Sequence, residues 1–200
     1  ITLLTILTHG REVLFCEPIA HVQRDGDYRL SWQPMPSPSH LIERWPTLLA
    51  RMQEMATRLV LELGGAGIFG VEFFLAHDGE IYFSEASPRP HDTGFVTQCT
   101  QDRDEFELHL LAALGMLDCA PRLLSPGASA ALTSNLDSEK PAHRFGDVST
   151  LRQSGVSLRL FQKPAAHVGR RMGIVLASAP EIEQAKAHVL AVQSCFEVIG

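Results

Sequence analysis

Residues 64–94 read GGAGIFGVEFFLAHDGEIYFSEASPRPHDTG, and their alternation decides how the chain folds. The runs 68–76 and 80–86 are apolar, β-branched and aromatic, and they meet at Asp78-Gly79. Asp-Gly between two such runs is a strong hairpin signal, because both residues tolerate positive φ. A two-residue turn pairs position 77 with 80 and, counting back, Ala76 with Ile81, Phe74 with Phe83 and Glu72 with Glu85. Directly opposed residues of an antiparallel pair have Cβ atoms roughly 4.5–5.5 Å apart, where like charges repel. Two carboxylates at the end of an apolar face share a proton or share a cation. Hard oxygen ligands favour Mg²⁺ or Mn²⁺, usually bridging to phosphates. The competing reading is a solvent-facing pair on an edge hairpin.

The stretch after Glu85 weighs against that competitor. Ser-Pro-Arg-Pro-His-Asp-Thr-Gly, residues 87–94, carries Arg89, His91 and Asp92 on a loop stiffened by Pro88 and Pro90. Proline fixes φ and lowers the entropy lost on ordering, so these polar side chains are held ready. Loops of this kind at the end of buried strands are where function is usually placed.

FGVEFF followed by IYFSEASPRPHDTG resembles the metal-binding half of an ATP-grasp ligase, and SPRPHDTG resembles the formate-dependent phosphoribosylglycinamide formyltransferases. The resemblance extends to DGDYRLSWQP (25–34) and to LRLFQKP…GRRMGIVLA (158–177), so it spans most of the chain. It implies an α+β fold. The C-terminal half of an ATP-grasp domain, an antiparallel sheet with flanking helices, would occupy residues 1–120, and a small β-rich domain residues 121–200. It also implies Mg²⁺ with ATP as co-substrate, formate and 5-phosphoribosylglycinamide as partners, and a cytoplasmic homodimeric full-length enzyme of purine synthesis. Glu72 and Glu85 match the family's Mg²⁺ ligands and Asp92 the carboxylate that contacts glycinamide; Arg89 and His91 are further loop contacts.

The composition is consistent with that class. Of 200 residues, 45% are hydrophobic and 20% charged, an ordinary globular balance. A net charge of −6 supplies no basic stripe for nucleic acid. No run of 18 apolar residues spans a membrane. Cys16, Cys99, Cys119 and Cys195 are widely spaced, as suits free thiols in a reducing compartment. The chain opens without methionine on ITLLTILT, in what reads as mid-strand, and the expectation is the C-terminal part of a longer protein.

Taken in order, 1–8 and 13–19 read as an antiparallel pair. Residues 23–34 read as a loop turning at Asp25-Gly26-Asp27, with Trp32 packed over the core. Ser39 caps a helix expected to reach Leu63, which Pro46 kinks or interrupts and Gly64-Gly65 ends. A second helix is expected over 102–114, with His109 structural. The stretch 119–127, rich in Pro, Ser and Gly, is the domain boundary. Strands follow at 128–134, 156–162 and 171–178, with a polar loop over 135–146. Ser178 to Glu181 has capping-box spacing, starting a helix to about Ser194, and 196–199 returns as a strand.

The chain has three lysines, and Lys163 lies seven residues before Arg170-Arg171. A turn over 164–169 brings an ammonium and a guanidinium around one point, a charge pattern suited to phosphate. Without the family, a solvated basic hairpin end is the simpler reading. With it, Lys163, Arg170 and Arg171 align with residues that grip the substrate's ribose 5-phosphate, at the opposite end of a cleft from Asp92. ATP-grasp aminoimidazole ribonucleotide carboxylases share the hairpin but continue with Asn-Ser-Gly where this chain has Asp92-Thr93-Gly94. A non-catalytic metabolite-binding or dimerisation module is the other alternative. The resemblance implies that the family's nucleotide-binding residues should lie N-terminal to Ile1, so catalysis by the chain alone is not expected.

Overall fold

The computed structural model describes residues 1–24, 26–139, 144–145, 149 and 155–199. The chain runs β1 (Thr2–Leu7), β2 (Val13–Phe15), β3 (Ala20–Arg24), β4 (Asp27–Gln33), a 3-10 turn (Ser39–Leu41), α1 (Trp45–Leu63), β5 (Gly67–Leu75) and β6 (Ile81–Ser87). A second 3-10 turn (Asp92–Val96) leads into α2 (Thr97–Thr100) and α3 (Glu105–Ala113). Then come β7 (Gly127–Thr133), β8 (Arg144–Phe145), β9 (Val156–Leu160), β10 (Arg171–Ser178), α4 (Ile182–Cys195) and β11 (Val198–Ile199). The strands form two antiparallel sheets, ordered β2-β1-β5-β6 and β3-β4-β7-β10-β9, and a separate β11–β8 pair. The fold is α+β, antiparallel sheets with flanking helices, as expected.

The first sheet is covered on both faces, and alternation assigns each residue its side. Leu3 and Leu7 of β1 and Phe69, Val71 and Phe73 of β5 meet Met52, Ala56 and Val60 of α1. Leu4, Ile6 and Ile68 point the other way, onto Leu108 and Ala112 of α3. Each fully buried aliphatic side chain contributes roughly 1.5–3 kcal/mol, so packing rather than helix propensity holds α1 in place. Glu72 shares the α3 face of β5, beyond the helix's reach. There the apolar cover stops and the site begins.

Several local expectations are corrected. Ser39 starts only a 3-10 turn and provides no cap; α1 begins at Trp45 with Pro46 in its first turn, where the missing N–H costs nothing. Gly64, at φ 70°, ends α1 as expected. Residues 23–34 are not a loop. They supply most of a β3–β4 hairpin whose β4 pairs with β7, while Trp32 does pack against the second core. Its burial was legible, but a strand that pairs with a partner about a hundred residues away leaves no local mark. Asp25 itself lies outside the described residues, as do 140–143 and 146 of the expected polar loop. The capping box at Ser178 does not form, and Glu181 precedes α4 without a side-chain cap bond. Asp104 does cap α3, accepting from the N–H groups of Phe106 and Glu107. His109 is structural, its Nδ1 accepting from the Ile68 N–H at 3.1 Å.

Because β3 and β4 precede α1 yet pair into the five-stranded sheet, that sheet draws on both sides of the 119–127 stretch. On its inner face Ala128, Ala130, Leu132, Val175 and Ala177 pack against Ala185, Val189 and Val192 of α4. The same hydrogen bonding carries β10's first residue, Arg171, toward the loop that follows β6. No helix among the described residues is long and apolar enough to cross a membrane.

Candidate functional site

Glu72 and Glu85 are direct cross-strand partners, although the turn differs from the expected one. Ala76 N–H bonds Glu80 O and Gly79 N–H bonds Ala76 O, so the loop has three residues, with Gly79 at φ 89°. That shifts the distal register by one: Phe74 faces Tyr82, Leu75 faces Ile81 and Phe73 faces Phe83. A bulge that leaves Ser84 without a partner restores the register at Glu72–Glu85. The expected Phe74–Phe83 and Ala76–Ile81 pairs are therefore absent, and Phe74 is largely exposed.

The two carboxylates sit in unlike surroundings. Glu72 is 4% exposed, whereas Glu85 opens to solvent. Burial pushes the Glu72 carboxyl above its ordinary pKa and Glu85 adds to the rise, while His91 opposes it. Gln23 Nε2 donates to Glu72 Oε2 at 3.1 Å and Thr2 Oγ1 to Oε1 at 3.4 Å. His21 lies 3.8 Å from Glu72, but burial drives its pKa down to about 3, so it is neutral at pH 7 and no ion pair forms. The His91 ring fits between the pair, Nε2 at 3.1 Å from Glu85 Oε1 and Nδ1 at 3.5 Å from Glu72 Oε1. Ligand atoms of all three residues lie within 4.8 Å of one another. The two carboxylates are hard oxygen donors set close together, the donor set that Mg²⁺ or Mn²⁺ prefers. His91 is engaged as the hydrogen-bond partner of Glu85 through Nε2 and of Thr93 through Nδ1.

The loop is positioned from below by glycines and by α3. A Cβ on Gly70 would come within 2.6 Å of His91, so glycine there makes room for the imidazole. The His91 N–H donates to Glu105 Oε2 at 2.7 Å, and Thr93 Oγ1 meets both His91 Nδ1 and Thr2 Oγ1. Glu105 is fully buried, and that burial pushes its pKa up to about 8. Arg89 is exposed and donates to the carbonyl of Pro90, so of the two loop contacts expected only His91 reaches the carboxylates.

Asp92, Phe161, Lys163, Arg170 and Arg171 line a recess of about 280 Å³. Gln162, at φ 48°, kinks the chain after β9, and Lys163 Nζ lies 5.7 Å from the Phe161 ring centroid. Arg170 Nη1 donates to Ala165 O, closing the turn, while Arg171 Nη1 pairs with Asp92 Oδ2 at 2.6 Å. The three cations thus meet as the sequence suggests, but Asp92 is beside them rather than across a cleft. The β4–β7–β10 pairing delivers Arg171 to the loop carboxylate, and opposite charges close the gap. Thr2, His21, Gln23 and Glu105 carry no spacing signal toward Glu72 or the loop. Strand pairing and helix docking bring them in.

Comparison with known proteins gives this geometry a family. An ATP-grasp domain model matches residues 1–106, and a model described as "PurT, C-terminal" matches residues 127–196. The formate-dependent phosphoribosylglycinamide formyltransferase of Synechococcus elongatus is 47% identical over 187 residues, covering 94% of this chain and 46% of the relative. The chain spans about half the length of the curated relatives it matches. A solved glycinamide transformylase T from Mycobacterium tuberculosis superposes with TM-score 0.68 at 28% identity, covering 96% of this chain and 54% of that one. N5-carboxyaminoimidazole ribonucleotide synthetase from Thermotoga maritima shares the fold, with TM-score 0.81 at 22% identity over 100% of this chain and 52% of that one. The chain belongs to the ATP-grasp family and is, over nearly its whole length, a homologue of the formate-dependent phosphoribosylglycinamide formyltransferases.

Proposed function

We propose that this chain supplies the metal-holding and substrate-holding half of an ATP- and formate-dependent formyltransferase acting on 5-phosphoribosylglycinamide. The observation that carries the reading is the adjacency of two sites. His91, which sits at the Glu72–Glu85 pair, immediately precedes Asp92 and its recess of three cations. Mg²⁺ held by Glu72 and Glu85 would neutralise the charge of ATP phosphates. In the overall reaction formate oxygen bonds the γ-phosphorus as ADP leaves. The glycinamide amine then bonds the formyl carbon as phosphate leaves and the amine sheds a proton.

This chain's own part is to bind and orient. Arg171 and Arg170 offer guanidinium forks to the ribose 5-phosphate and Lys163 adds a compact charge. Asp92 accepts from the amine or amide of the glycinamide. A substrate bearing both groups can separate Asp92 from Arg171 and satisfy each. Gln23 and Thr2 fix Glu72, and the first sheet's core keeps that carboxylate buried. Residues 1–120 and 121–200 serve as the ATP-grasp and the small β-rich parts of this reading, and the completed enzyme would be a cytoplasmic homodimer.

Calorimetry with ribose 5-phosphate tests the recess on this chain directly. The Arg170→Ala, Arg171→Ala double variant should weaken binding at least about tenfold, the scale of one lost charge-assisted contact. Unchanged affinity would remove the assignment. Completing the chain with the N-terminal half of the Synechococcus relative then separates the chemistries. Formyl transfer to phosphoribosylglycinamide supports the reading, and carboxylation of aminoimidazole ribonucleotide replaces it.

A further inference from the structure

Glu105 carries a carboxyl group with 0% exposure, at a position where an apolar residue would cost the fold less. It is the first residue of α3, and its N–H donates to Thr97 Oγ1, which in turn donates to Gly94 O. The side chain turns inward. Oε2 accepts the His91 N–H at 2.7 Å, and Oε1 has no hydrogen-bond partner among the described residues. A Cβ on Gly94 would overlap Oε2, so the carboxylate packs directly against the loop backbone at that residue. Glu105 therefore touches the site loop on both sides of Asp92.

We propose that Glu105 is a positioning residue whose carboxyl oxygen fixes the 91–94 backbone, so that His91 reaches the Glu72–Glu85 pair while Asp92 meets the cationic recess. The chain of contacts is continuous. Glu105 holds the His91 backbone from below, and Gly70 leaves the imidazole room against β5. The ring nitrogens then fall at the two carboxylates. One residue later the backbone turn that Thr97 and Gly94 close sets Asp92 at Arg171. Without the Glu105 acceptor the buried His91 N–H loses its partner, and the loop, still held at Gly94 by Thr97, is released at its His91 end. The proposal deepens the reading of Asp92 and its recess as the substrate site and rests on it there. The His91 arm stands without it.

The test compares Glu105→Gln, Glu105→Asp and Glu105→Leu in this chain, with Leu108→Ala as a packing control on the same helix. Four quantities are read: amide hydrogen exchange at His91, the His91 ring nitrogen shifts, Mn²⁺ affinity by electron paramagnetic resonance, and ribose 5-phosphate affinity. Gln retains an acceptor oxygen at the same reach and should stay within about twofold of wild type on all of them. Asp, one methylene short, and Leu should speed His91 amide exchange and weaken both affinities by roughly tenfold each. Leu108→Ala should lower stability without moving the ring shifts or either affinity. If Asp and folded Leu leave His91 exchange and ring shifts at wild-type values, the proposal is overturned. Should Leu not fold, Asp against Gln decides. If wild type fails to bind ribose 5-phosphate, the substrate reading falls. The positioning role is then judged on His91 and Mn²⁺ alone.

Discussion

Replacing Glu85 by Gln should change stability in opposite directions without and with a divalent cation. Without one, Glu72 and Glu85 are directly opposed carboxylates, and burial together with Glu85 raises the Glu72 pKa. Glu85→Gln removes that repulsion. Because Glu85 is solvent-facing and screened, the gain should be small, about 0.2–1 kcal/mol, and partly offset by its lost contact with His91 at 3.1 Å. With Mn²⁺ at ten times its dissociation constant, the wild-type chain gains RT ln 11, about 1.4 kcal/mol, provided only the folded state binds. The variant, with one of two ligands gone, should gain almost none of that. Urea denaturation with and without Mn²⁺ measures both arms, and the order of stabilities should invert on adding the ion. A variant stabilised by Mn²⁺ as much as wild type would refute the carboxylate-pair argument. So would a wild-type chain indifferent to the ion.

Gly70→Ala should cost roughly 1–3 kcal/mol and displace the His91 ring, because the new methyl would approach it to 2.6 Å; thermal unfolding and the His91 ring resonances report both effects. Glu105 should make the chain lose stability as pH rises. Its folded pKa of about 8 lies above the ordinary 4.5, so its contribution is complete below pH 4.5 and is lost as pH climbs through 8. Glu105→Gln should flatten that slope in urea titrations at pH 5, 7 and 9, and an unchanged slope would assign the pH dependence elsewhere. Arg171→Ala breaks a partly exposed ion pair with Asp92 and should cost only about 0.2–1 kcal/mol by denaturation, while ribose 5-phosphate affinity falls far more. Equal losses of stability and affinity would mark that arginine as structural.

The chain's own letters determined whatever depends on neighbours in sequence. Alternation over 68–86 with Asp78-Gly79 gave a hairpin, Gly64 gave the end of α1, and the loop 87–94 announced polar groups held by prolines. The family likeness in SPRPHDTG and GRRMGIVLA added the chemistry to expect. Tertiary structure decided the rest, because hydrogen-bond pairing and packing compete over distances that no local pattern encodes. The Glu72–Glu85 register came out as counted only because a three-residue loop and the Ser84 bulge cancel. Sheet formation settled that β3 and β4 join β7, and so that Arg171 reaches Asp92 instead of facing it across a cleft. Thr2, His21 and Gln23 surround Glu72 because antiparallel pairing sets strand ends side by side, and Glu105 reaches His91 because α3 docks on the same sheet face. A residue's partners along a strand or helix can be read from spacing. Partners across a core are fixed only when the whole chain has chosen what to bury.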